Sequence, residues 1–261
     1  MKYKFETLIL LISLFLIAEL FGLFSNSNYF SRELPYSITP PEWEPEIAPF
    51  SFMVVLIFAT LILLFLMRRK ANFLLNAWYF LALLICSSIG LASFLPETSA
   101  LGIALILTII RLSEPDIYIH NLSEILSYSG VTAIFLPLFT PITILILLLV
   151  ISVYDFIAVH KTKHMIKLFQ QQKSAGILPG ILARYRDEVA FLGGGDVVFV
   201  MLFSTVMAKF YGIAYALISI YLATITIFLL GVFGERKKFY PAMPFLTSSC
   251  LLSFLIANVL K

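Results

Sequence analysis

Two carboxylates stand where carboxylates are costly. Asp155 lies in "LLLVISVYDFIAVHKTKH", residues 147–164, and Asp196 in "VAFLGGGDVVFVMLF", residues 189–203. An ionisable residue in the middle of a membrane span costs about 2.5–3.5 kcal/mol, so two cost about 5–7. Two carboxyls in contact cannot both ionise in a low-dielectric site; one keeps its proton and the pair titrates as a unit. Such a pair can hydrolyse a peptide bond: the ionised member takes a proton from the attacking water, and the protonated member donates to the scissile carbonyl. Paired membrane acids also serve proton-coupled transporters and ion leak pathways. That second reading leaves the residues around the acids unexplained.

Those residues are glycines and prolines. Gly193, Gly194 and Gly195 directly precede Asp196, and each costs about 1 kcal/mol against alanine inside a helix. Three in a row weaken the helix at the acid and let the segment open or another backbone approach. In "KKFYPAMPFLTSS", residues 237–249, Pro241 and Pro244 fall in the first turn of the last apolar run, where a missing N–H breaks no helical bond. Irregular backbone within a bilayer is tolerated only where it lines a cavity or is buried in protein. Depth ties the three features together. Asp155 stands six residues before Lys161 and Asp196 eight after Glu188, about 9 and 12 Å from one boundary if both segments are helical.

The elements that must position these groups are membrane spans. The chain has 261 residues, 61% hydrophobic and 13% charged, with a mean hydropathy of +0.99. Soluble domains carry about a quarter charged residues, so the fold class is an all-α polytopic membrane protein. Apolar runs near 5–24, 49–67, 72–95, 98–112, 118–138, 141–160, 189–208, 211–233 and 241–260 predict nine transmembrane helices, with the acids on helices six and seven. The fourth run is short and the fifth opens on the semi-polar "YIHNLSEILSYSG", which makes these two the least regular. One domain covers 1–261: spans one to six in 1–160, a basic loop at 161–188, and spans seven to nine in 189–261. No polar stretch is long enough for a separate soluble domain.

With the N-terminus cytoplasmic, fifteen of the eighteen lysines and arginines face inward, leaving Arg32, Lys209 and Lys261 outside. The positive-inside rule then fixes a multi-pass protein of the cell membrane with its C-terminus outside. The N-terminal run lacks a small-x-small cleavage site and reads as a retained first span. Cys86 and Cys250 sit in apolar runs and read as small hydrophobic residues. The Pro-rich outer loop 25–48 is expected to be ordered where it docks on helices. Glu19, near the outer end of the first span, is expected to snorkel to water. Asn121 opens a glycosylation sequon that the topology places inside, and no role is assigned to it.

Tyr154-Asp155 within "ISVYDFIAV", Gly193-x-Gly195-Asp196 and Pro241-Ala242-Met243 resemble, in order, the YD, GxGD and PAL motifs of the presenilin and signal peptide peptidase family. The resemblance spans the whole chain. It implies intramembrane aspartyl proteolysis by Asp155 and Asp196, with Tyr154, the three glycines and Pro241 to Met243 shaping the site. It also implies transmembrane peptides and the bilayer as partners, with no cofactor, metal or nucleic acid. Two departures stand out. Gly194 occupies a position where a bulky apolar residue is usual, which bears on cleavage-site preference, and Met243 replaces the usual leucine. A prepilin- or preflagellin-peptidase-like protease shares GxGD, but the Pro-Ala-Met element and the neighbouring aspartate spans disfavour it. No HExxH or Gly-x-Ser-x-Gly occurs, and His160 and His164 flank lysines, which disfavours zinc and serine chemistry. Presenilins are cut in a long loop between the aspartate spans. The 28-residue basic loop here predicts an active single chain with no obligatory protein subunits.

Overall fold

The computed structural model describes residues 3–44, 46–69, 71–113, 116–157, 179–186, 188–235 and 240–260. Among these, nine α-helices and one β-hairpin follow in order: α1 (Phe5–Ser27), α2 (Ala48–Arg68), α3 (Asn72–Ala92), α4 (Glu97–Ser113), α5 (Ile117–Phe135), α6 (Pro141–Ile157), β1 (Gly180–Tyr185), β2 (Glu188–Gly193), α7 (Gly194–Tyr211), α8 (Ile213–Phe233) and α9 (Met243–Leu260). Six helices, α1, α2, α3, α7, α8 and α9, are long and apolar enough to cross a bilayer, and α6 is a shorter apolar helix. The chain is a membrane-embedded, multi-pass, helical protein.

Local chemistry sets several boundaries. Asp116 caps α5 by accepting from the N–H groups of Tyr118 and Ile119 at 2.8 and 2.9 Å, satisfying donors that the first turn leaves open. Thr140 and Thr143 cap α6 reciprocally, each side chain accepting from the other's backbone N–H, and Pro141 takes the first helical position, where its fixed φ fits.

The most buried span is α7, which packs against α1, α5, α6, α8 and α9. Phe52 of α2 adds an aromatic cluster beside it, with ring centroids 4.8 Å from Phe135, 5.9 Å from Phe139 and 6.1 Å from Phe199. On the far side α3 and α5 approach closely. A Cβ at Gly130 would fall 1.9 Å from the Cys86 carbonyl oxygen, so only glycine permits this crossing, as small residues do where membrane helices meet.

The structure corrects three expectations. Residues 188–193 form a strand, so the seventh helix begins at Gly194 and not at 189. The β-branched and aromatic side chains of Val189 and Phe191 suit a strand, and helix resumes where the chain leaves the hairpin. The rest of the loop 161–188 is also partly ordered, as β1 pairs antiparallel with β2 from Gly180↔Gly193 to Tyr185↔Glu188; 158–178, with Lys161, His160 and His164, lies outside the described residues. Glu19 does not snorkel. It is fully buried, on the α1 face that carries Phe15, Ala18 and Gly22, with Ser204 of α7 alongside. The helix end at Ser27 is eight residues away, about 12 Å, beyond the reach of a glutamate. The outer loop docks as expected: Tyr36 donates through its N–H to the Glu97 carboxylate and through its hydroxyl to the Glu97 carbonyl, and Tyr29 donates to the Ile89 carbonyl at 2.6 Å. Burial there pushes the Tyr29 phenol up.

Candidate active site

Asp155 lies two residues before the described end of α6 and is 7% exposed. Its Oδ2 accepts from the Met243 backbone N–H at 3.3 Å. That N–H is free for this purpose because Met243 opens α9, and the first-turn donors of a helix have no internal partner. One turn further along, Ser152 and Thr247 share a hydroxyl contact of 2.7 Å, and Thr247 also reaches the Leu148 carbonyl at 3.3 Å. The end of α6 and the start of α9 are therefore stitched together at successive turns. Ser152 and Thr247 escaped the sequence reading, although their spacings from Asp155 and Met243, three and four residues, place each pair on one helix face.

Asp196 sits in the first turn of α7. The boundary arithmetic from Glu188 no longer applies, since 188–193 is extended, but the helices supply a better measure. Tyr211 at the end of α7 donates to Asn258 near the end of α9 at 3.1 Å. Asp196 precedes Tyr211 by the same fifteen residues by which Met243 precedes Asn258, about 22 Å of helix. Taken as straight and parallel helices, α7 and α9 then start at one level, with Asp155 at the Met243 end. A helix N-terminus is also where a carboxylate is best placed against the helix dipole.

The hairpin delivers the chain to Asp196. Its β1 edge is held by α5: Asn121 donates to the Leu182 carbonyl at 2.7 Å and accepts from the Leu182 N–H at 2.9 Å. Beside it His120 meets the Gly180 carbonyl at 2.7 Å and Arg111 on its other ring nitrogen. The semi-polar opening of the fifth run is therefore a clamp, and Asn121, given no role from sequence, is its main contact. The β2 strand is tied to the start of α1, where the Glu188 carboxylate accepts from the Lys4 N–H at 2.7 Å and the Thr7 hydroxyl at 2.9 Å. The Tyr3 phenol lies against the Phe191 N–H, and burial pushes it up.

The remaining predicted residues divide. A Cβ at Gly193 would fall 3.2 Å from Asp196 Oδ2, so glycine leaves that side of the carboxylate uncovered; one at Gly194 would meet Tyr128 Oη at 2.6 Å; one at Gly195 meets only ordinary contacts. Pro241 is buried, Ala242 is half-buried and accepts at its carbonyl from the Phe245 and Leu246 N–H groups, and Met243 is 4% exposed. Tyr154 points the other way, to an exposed face of α6 at 40%. A cavity of about 330 Å³ opens between α6 and α9, lined by Leu149, Ser152, Val153, Phe156, Pro244 and Thr247 among others.

A family model described as signal-peptide peptidase, presenilin aspartyl protease matches residues 12–183. The chain belongs to that family. It is an intramembrane aspartyl protease, an aspartic endopeptidase that acts on transmembrane substrates within the bilayer. The matched region includes Asp155 and the α5 clamp and stops before Asp196. In fold, the chain resembles a presenilin family intramembrane aspartate protease solved in space group C222, with a TM-score of 0.67, 21% identity, and coverage of 97% of this chain and 99% of that one. A P2 crystal form gives a TM-score of 0.67 at 20% identity, covering 96% and 97%. No curated protein matches the chain.

Proposed function

We propose that Asp155 and Asp196 are the catalytic pair of this protease, cutting peptide bonds inside transmembrane segments of membrane proteins or signal peptides. What supports this is the residue spacing that brings the two acids toward one level, counted from the Met243 contact at one end of α9 and the Asn258 contact at the other. In this reading the carboxyls share one proton. The ionised member takes a proton from the attacking water while the protonated member donates to the scissile carbonyl; as the tetrahedral intermediate collapses the C–N bond breaks and the leaving amine takes a proton from the pair. The Met243 N–H holds Asp155 in place, and Gly193 leaves room beside Asp196. The extended segment 188–193 offers a substrate its outer edge for strand addition, where alternate side chains and backbone hydrogen bonds align the peptide. A strand taking that edge replaces the Tyr3 contact. The apolar cavity between α6 and α9, lined by Ser152 and Phe156 to either side of Asp155 in sequence, is where a substrate would enter from lipid.

The finer architecture belongs to the same proposal. Nine spans, with α4, α5 and α6 completing the six longer ones, place the N-terminus in the cytoplasm and the C-terminus outside. The scissile bond then lies in the cytoplasmic half. The protein works as a single chain in the cell membrane with no partner subunit. The test is cleavage of a transmembrane peptide in bilayers, with products located by mass spectrometry. The intact chain should cut and Asp155→Ala and Asp196→Ala should not; cleavage by either variant contradicts the proposal.

A further inference from the structure

Gly194 raises a question of its own, because it opens α7 where the structure has no room for a Cβ. A Cβ built at Gly194 would lie 2.6 Å from Tyr128 Oη, 3.0 Å from Cζ and 3.1 Å from Cε1. Tyr128 comes from α5 and is 5% exposed, enclosed in the same apolar core that holds Val197, Phe199 and Val200 of α7. Its ring cannot swing aside without displacing that core. Its hydroxyl is buried beside the Glu124 carboxyl, with Asp196 within electrostatic reach.

We propose that Tyr128, packed against Gly194, is the positioning residue that seats the Gly193–Asp196 turn and bounds the cleft behind it. The cleavage-site preference of this protein is then set from α5 and not from α7. The proposal rests on Asp196 being catalytic, and Asp196→Asn is assayed alongside so that the two claims fail separately.

The test is a reciprocal exchange, read as kcat, KM and the positions of cleavage in one transmembrane peptide. Gly194→Ala should lower kcat by roughly a hundredfold with little change in KM, the loss expected when a reacting group moves by about an ångström. Tyr128→Phe removes the atom in closest conflict and leaves contacts of 3.0 and 3.1 Å, so adding it to Gly194→Ala should restore at least tenfold of that loss. Tyr128→Ala should move or spread the cleavage positions, a change that loss of stability alone does not produce. Undiminished kcat in Gly194→Ala overturns the proposal, as does no recovery in the double variant. Unchanged cleavage positions in a folded Tyr128→Ala overturn the specificity claim. An inactive Asp196→Asn keeps the catalytic pair standing in each of these cases.

Discussion

Asp155 and Asp196 meet different surroundings. One is nearly buried and held by a backbone donor, and the other is partly exposed at a helix start. If they share a proton, the rate should follow a bell-shaped pH profile whose two apparent values belong to the pair. A single sigmoid across the range where the protein stays folded would contradict this. Met243 offers a sharper test of the backbone contact. Met243→Leu conserves volume and the N–H, and kcat should stay within about twofold; Met243→Pro keeps a proline-compatible first helical position but deletes the donor to Asp155, and kcat should fall at least about tenfold. Equal activity of the two would show that the hydrogen bond is idle. The acids, glycines and prolines were legible in the sequence because each violates what a span tolerates. Glu19, Ser152, Tyr128 and Thr247 were not, because their meaning depends on which neighbour each helix face meets.

At the scale of elements, the hairpin and its clamp matter most. Sequence periodicity located the apolar runs, with helix ends falling within a few residues of their expected places. It missed the strands, because "EVAFLG" continues an apolar run without polar punctuation and a short apolar run can be read as helix or strand. It also treated the polar residues of α5 as a weakness, when they hold β1 in place. Asn121→Ala removes both contacts to Leu182 and leaves two part-buried backbone groups without their partner, worth about 1–3 kcal/mol locally. Hydrogen exchange over 180–193 should accelerate and cleavage should slow, while α7 to α9 remain protected. Unchanged exchange in the hairpin would show that α5 does not hold it.

At the scale of the molecule, the acids, the hairpin, the start of α1 and the start of α9 gather at one end, and the outer loop closes over α1, α3 and α4 at the other. The topology proposed above puts the first end in the cytoplasm. Segments with their N-termini outside should therefore be cut faster than the same segments reversed, in oriented vesicles. Equal or faster cleavage of the reversed segment would invert the assignment. The purified active enzyme should also run as one intact chain; two stable fragments would contradict single-chain activity.

The most direct measurement is a double-mutant cycle on cleavage of one transmembrane peptide in bilayers, using the parent chain, Asp155→Asn, Asp196→Asn and the double variant, each shown to be folded. If the two carboxyls act as one unit, each single substitution should cost about 10⁴-fold or more, and the double should cost no more than either. Measurable turnover in one single variant, or losses that multiply in the double, would contradict a shared catalytic site.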